Sequence, residues 1–348
     1  MRWENLSAPP DEGHPDGSAP ATPPLPLALP GAIARTFDTP GFAGMTFYEV
    51  QAKSIVNKVP GPSRVPFEWT INPYRGCSHA CKYCYARNTH TYLDLDAGAD
   101  FDRKVIVKVN AGELVRRELA APRWRGAHIA MGTNVDCYQR AEGRYRLMPP
   151  IIEALRDFAN PFSILTKGTL ILRDLPLLRQ AAEVTRVGVS YSVGFVDEAL
   201  WRAVEPGTPS PRRRLDAVRA LTDAGFEVGV LMAPILPGLS DSDESIDATV
   251  SAVAAAGAAS VTPMALHLRP GAREWYAHWL AREFPHLVPR YRELYRAGAY
   301  APQAYQRELT ARVRIAARRH GLHRGERGDN RRLPTPEAQP AAEQLSLL

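Results

Sequence analysis

The 348-residue sequence has no run of eighteen apolar residues, no charged-then-apolar opening, only four cysteines and little of its basic charge as lysine. Without such a run no helix can cross a hydrocarbon core about 30 Å thick, so no membrane partner is expected. Without an export-type leader the expected location is cytoplasmic. Four cysteines in so long a chain, three of them within eight residues, do not make a disulfide framework. In a reducing compartment that clustering favours metal binding. Helical and strand periodicity are also missing from both ends. Residues 1–45 are crowded with Pro, Gly, Ala and Asp, and residues 325–348 are similar in character. Segments of that kind bury too little apolar surface to offset their ordering entropy and read as disordered tails.

What remains is about 280 residues, the size of one barrel-like domain. The spacing predicts strands at 67–72, 128–133, 162–166, 187–193, 226–233 and 259–265, with helical patterns between them and an extra strand at 105–109 in the first crossover. Residues 112–120 follow Asn110, a residue suited to an N-cap, and 150–158 open with a proline. Residues 212–224 and 243–256 close on Gly225 and Gly257, the residue favoured just past a helix end. Near-continuous apolar strands separated by helices make an α/β protein with a parallel sheet. Six units are too few for a closed eight-stranded barrel, so the expected fold is a partial, open parallel β/α barrel over 46–300. A helical, Arg-rich C-terminal extension follows at 301–324. A doubly wound open sheet is the alternative. In either case the chemistry belongs at the C-terminal strand ends. Those ends fall at Asn72-Pro73, Thr133 to Cys137, Thr166-Lys167, Ser190 to Ser192, Ala233-Pro234 and Met264 to Arg269.

Directly after the first strand end comes Asn72-Pro73-Tyr74-Arg75-Gly76-Cys77-Ser78-His79-Ala80-Cys81-Lys82-Tyr83-Cys84-Tyr85-Ala86-Arg87. Three thiolates spaced C-x3-C-x2-C can hold three irons of a cubane and leave the fourth iron open to a small molecule. A zinc site completed by His79, His90 or Cys137 is the other metal reading. Zinc commonly takes four ligands as two separated pairs, which this tight trio is not.

This loop resembles that of the radical S-adenosylmethionine superfamily, and its longer context (NPYRGC, CYAR) resembles the branch containing spore photoproduct lyase and the DNA repair photolyase proteins. The likeness continues through GTNVDCYQRAE at 132–142, ILTKGTLILRDL at 164–175, VSYSVGFVDEALWRAVEPGTPSPRRRL at 189–215 and APILPGLSD at 233–241, and spares both tails. It implies a [4Fe-4S] cluster on Cys77, Cys81 and Cys84, with S-adenosylmethionine on the open iron. Reductive cleavage then gives a 5′-deoxyadenosyl radical that takes hydrogen from a substrate. The resemblance also implies an electron donor of flavodoxin or ferredoxin type and offers damaged nucleic acid as one substrate. A small molecule or peptide is the alternative, and a non-catalytic iron–sulfur or zinc module is a third reading.

By position, the resemblance assigns Tyr83 to the adenine, and Lys167, Ser190 and Ala233 to further cofactor contacts. Thr133 and Asn134 fall near the cofactor's amine, and Lys167 suits its carboxylate. Ser192 shares one strand face with Ser190, a geometry suited to ribose hydroxyls. Tyr83 and Tyr85 match residues proposed to relay a radical in the lyase. The hydrogen-donating cysteine of that lyase has no counterpart at its usual place, where Gly132 or Thr133 stands. Cys137 is the spare thiol at the active face, a candidate donor or else a small buried hydrophobe. Finally, residues 307–332 carry nine Arg against two Glu and one Asp, within a net charge of +6. That run reads as a solvated helix face or as a phosphate-binding surface for nucleic acid.

Overall fold

The computed structural model describes residue 29 and residues 31–61 and 65–322. Its strands in chain order are β1 (Ile33–Arg35), β2 (Thr46–Val50), β3 (Val56–Lys58), β4 (Trp69–Ile71), β5 (Tyr74–Arg75), β6 (Lys104–Lys108), β7 (Ile129–Met131), β8 (Phe162–Thr166), β9 (Val187–Ser192), β10 (Val228–Ile235) and β11 (Ser260–Ala265). The main sheet has the order β11-β10-β9-β8-β7-β4-β3. Six of these strands, β4 and β7 to β11, are parallel and lie in sequence order, and β3 adds an antiparallel edge. The sheet does not close on itself. It is the open parallel barrel that the alternation of strands and helices predicts.

Register decides what lines the two faces. One row runs Thr70, Ala130, Ser163 and Gly188, and the next Leu165, Ser190, Gly229 and Ser260. The opposite face carries Ile71, Met131, Ile164 and Val189, all buried in the main core with the crossover helices. Those helices include Ala111–Leu119, Met148–Asp157, Leu175–Val184, Pro211–Asp223 and Asp243–Ala255. Apart from Leu165, small residues on the inner rows keep the lumen open, and large ones outside fill the layer between sheet and helices.

Three features differ from the sequence reading. The segment 31–45, assigned to a disordered tail, forms β1 and a short 3-10 turn at Pro40–Phe42. Its composition hides two aromatic anchors: Phe37 and Phe42 lie 5.4 and 5.3 Å from the Phe47 ring. The rest of that tail, and the tail at 325–348, lie outside the described residues. The extra crossover strand, found at β6, belongs to a separate sheet of order β1-β2-β6-β5, which flanks the cysteine loop. Asn110 does precede a helix, but its side chain makes no cap. Instead it brackets Ala52, accepting from the amide at 2.9 Å and donating to the carbonyl at 3.0 Å.

The Arg-rich helix Gln303–Arg319 packs against Asp243–Ala255 on the outer wall. Arg312 pairs with Asp243 at 2.7 Å and Arg319 with Asp247 at 2.6 Å. Two of its five arginines therefore dock the helix. Among the described residues no helix is long and apolar enough to cross a membrane.

Candidate metal centre and active site

The cysteine loop leaves β4 through Asn72 and Pro73, and remote segments fix its backbone. The amide of Cys77 donates to Phe101 at 2.9 Å and that of Lys82 to Val204 at 2.9 Å. The Gln139 side chain accepts from the Ser78 amide and donates to the Gly76 carbonyl, each at 2.9 Å. Gly76 has φ +82°, and a Cβ there would stand 2.7 Å from the Lys104 carbonyl. A Cβ on Gly207 would stand 2.0 Å from the Ser78 carbonyl, so the loop lies directly on that backbone.

Cys77 and Cys81 are buried and Cys84 is half-buried. Burial pushes the Cys77 thiol well up, with further rises from Asp136 and the two other thiols. Burial pushes the Cys81 thiol up to about 12, and the Glu205 carboxylate adds to it. Cys84 is also raised by burial, with Arg87 opposing. Thiols so enclosed become thiolates only when positive charge joins them. Among the described residues, no three His, Cys, Asp or Glu side chains converge tightly enough to hold a single ion. Three thiols on one loop that act on one another electrostatically fit a polynuclear iron–sulfur cluster, whose ligands sit at separate corners.

Around this loop the strand ends supply a polar mouth. Asp136 is its hub: it accepts from Thr166 Oγ1 at 2.6 Å, from the Lys167 amide at 2.7 Å and from the Tyr138 amide at 2.8 Å. His79 Nδ1 lies 3.4 Å from the same carboxylate, and burial lowers that imidazole to about 4, so it is neutral at pH 7. The Lys167 ammonium turns inward over the Tyr83 ring, 5.7 Å from its centroid, and donates to Ser192 Oγ. Ser192 Oγ then donates to the Ala233 carbonyl. Ser190 is buried two residues earlier on β9.

Behind the mouth, the Tyr83 hydroxyl donates to Glu205, which is paired with Arg214, all three buried. Arg214 also donates to the Ser192 carbonyl at 3.0 Å and so ties this network to β9. Burial alone would raise the Glu205 carboxyl, but Arg214, Lys167 and the Tyr83 hydroxyl outweigh it and hold it below its ordinary value. Across the open side of the barrel, the exposed Tyr85 donates to the Thr133 carbonyl, and its ring lies 5.4 Å from His267 beyond β11. Thr133 and Asn134 are half-buried at the β7 end.

The structure thus gathers Cys77, Cys81, Cys84, Tyr83, Lys167, Ser192 and Ala233 at one end of the sheet, with Tyr85 and Thr133 at its rim. Cys137 stands apart. Its side chain is fully enclosed in the main core rather than exposed at the active face, and burial raises its thiol well above the usual range. Asp136, Gln139, Arg87 and the Glu205–Arg214 pair carry the site's support but were not singled out in the sequence. Their partners lie up to 122 residues away, and no local pattern reveals them.

The family model described as the radical SAM superfamily matches residues 71–249. An uncharacterized protein of Mycobacterium tuberculosis is 50% identical over 318 residues, which cover 90% of this chain and 92% of the relative. An uncharacterized protein of Methanocaldococcus jannaschii is 30% identical over 202 residues, 58% of this chain and 72% of its own. Among solved structures, spore photoproduct lyase complexed with dinucleoside spore photoproduct superposes with TM-score 0.57 at 16% identity, covering 79% of each chain. A mutant of that lyase with bound AdoMet and dinucleoside spore photoproduct gives 0.58 at 16% identity, covering 78% of each. At that identity the likeness is one of fold.

Proposed function

The chain belongs to the radical SAM superfamily, and on that premise we propose that it is an enzyme that draws a hydrogen atom from an organic substrate held in the mouth of the open barrel. The family implies a [4Fe-4S] cluster and S-adenosylmethionine. The observation that carries the proposal is the convergence of Cys77, Cys81 and Cys84 with the Lys167–Ser192–Ala233 chain at one end of six parallel strands.

When bound, the cluster supplies the electron that breaks S-adenosylmethionine and so generates the hydrogen-abstracting radical. Cys77, Cys81 and Cys84 would hold it. Lys167 presents a fixed ammonium suited to the cofactor's carboxylate. Ser190 and Ser192 would offer hydroxyls to its sugar, Thr133 and Asn134 would meet its amine, and the Tyr83 backbone would meet its adenine. The Tyr83–Glu205–Arg214 network keeps the loop from shifting, and the buried surroundings exclude water from a reactive intermediate. A reducing, cytoplasmic setting and a small flavodoxin- or ferredoxin-like donor belong to the same proposal.

For the substrate, a lyase reaction on damaged nucleic acid is supported by the fold likeness to spore photoproduct lyase and by the tyrosines flanking Cys84. The enclosed Cys137 and the paired Arg312 and Arg319 favour the second reading, a small molecule or peptide. Reduced, reconstituted protein should release 5′-deoxyadenosine from S-adenosylmethionine, and none would defeat the proposal. Ultraviolet-irradiated DNA that raises this turnover above untreated DNA would select the lyase reading. Equal turnover with both would select the other.

A further inference from the structure

We propose that Arg87 is the positioning residue of the cysteine loop and that its fixed positive charge sets the reduction potential of the cluster the loop holds. The inference rests on the [4Fe-4S] reading above and concerns one residue that reading leaves without a role.

Arg87 is completely buried. Its Nη2 donates to the Cys81 carbonyl at 2.9 Å and to both oxygens of Asp102 at 2.8 and 3.1 Å. Its Nη1 donates to the Gly98 carbonyl at 2.8 Å and the Ala97 carbonyl at 3.3 Å. The guanidinium lies 4.8 Å from the Trp275 ring centroid and 5.2 Å from that of Phe101. Phe101 in turn accepts from the Cys77 amide at 2.9 Å. One planar fork therefore joins the middle of the loop to the segment that anchors its first cysteine. Lysine, a point donor, cannot reproduce that geometry.

Positioning alone does not require a buried cation, whose desolvation is costly. The charge has an evident use. Lys82 lies over the same tryptophan, 5.6 Å from its centroid, and both cations face the single carboxylate of Asp102. Counting the charged groups that act on the loop, Arg87, Lys82, Lys167 and Arg214 are positive and Asp102, Asp136 and Glu205 negative, a balance of one positive charge beside three thiolates that Arg87 decides. When the cluster takes one electron from an external reductant, its charge falls by one unit. A net positive neighbourhood favours that state, and local charge is one of the levers that set cluster potentials. In a low-dielectric interior the effect is weakly screened.

The test is a mediated redox titration of the anaerobically reconstituted full chain, with dithionite as reductant and the paramagnetic signal as readout. Arg87→Met removes the charge and keeps the bulk. It should make reduction at least tenfold less favourable, about 59 mV lower for a one-electron couple. Asp102→Asn leaves the cation uncompensated and should shift the midpoint upwards. Arg87→Lys keeps the charge without the fork, so its midpoint should stay near the wild-type value while iron retention falls. A residue that only holds the loop together would lower iron retention in all three and leave the midpoints together. An unmoved midpoint in a loaded Arg87→Met protein overturns the inference, as does a downward shift in Asp102→Asn. If Arg87→Met fails to load, the direction in Asp102→Asn decides. A wild-type chain that takes up no cluster defeats the underlying reading and this inference together. A normal cluster with an unmoved midpoint defeats the inference alone.

Discussion

The Lys167 ammonium stands 2.6 Å from the Ser192 hydroxyl, which donates to the Ala233 carbonyl at 3.0 Å. The ends of β8, β9 and β10 are thereby linked by a single chain of hydrogen bonds that begins on a cation. A carboxylate entering the mouth meets this cation already oriented. Lys167→Ala should leave iron content unchanged and weaken S-adenosylmethionine binding. The loss of a charged hydrogen bond, about 1.5–3 kcal/mol, corresponds to roughly 10- to 150-fold in affinity. Equilibrium binding to the reconstituted protein reads this directly, and unchanged affinity would remove Lys167 from the cofactor site.

The Glu205–Arg214 pair predicts a stability effect rather than a binding one. Glu205→Ala strands a buried guanidinium and should destabilise the fold by about 3–5 kcal/mol in denaturant titration. The pH dependence has a definite sign. The folded Glu205 carboxyl lies below its ordinary value of 4.5. Its contribution is therefore present above that value and is lost as pH falls through the lower folded one. Glu205→Gln should flatten this acid limb of the stability curve, and an unaltered limb would show that the titration belongs elsewhere.

Gly207 tests the seat of the loop. A methyl group there would meet the Ser78 carbonyl at 2.0 Å and His79 backbone atoms at 2.8 and 2.9 Å. Gly207→Ala should displace the loop and lower iron retention after reconstitution. Gly41→Ala, which meets nothing within 4 Å, should not. Equal retention in both proteins would mean that the loop tolerates the shift.

The six barrel strands and the cysteine trio were legible because each is written in a short stretch: apolar runs of strand length, and three thiols within one turn-rich loop. The flanking sheet was only partly legible. β1 and β5 are three and two residues long, too short to show a period, and β1 sits among prolines. Asp136 and Gln139 were invisible as supports because their work is done on residues that only the fold brings near. Cys137 shows the limit most clearly. Its place after a strand end is readable, whereas its enclosure depends on which way each residue of the turn faces.

The central claim is that Cys77, Cys81 and Cys84 alone hold a [4Fe-4S] cluster that S-adenosylmethionine can approach. The direct measurement is iron content and electron paramagnetic resonance of the anaerobically reconstituted, reduced protein, with and without S-adenosylmethionine. About four irons per chain are predicted, with a signal that changes when the cofactor is added. The signal should be absent in each of Cys77→Ala, Cys81→Ala and Cys84→Ala and retained in Cys137→Ala. Stoichiometric zinc in protein purified without oxygen, no cluster after reconstitution, or a cluster lost in Cys137→Ala would contradict the account.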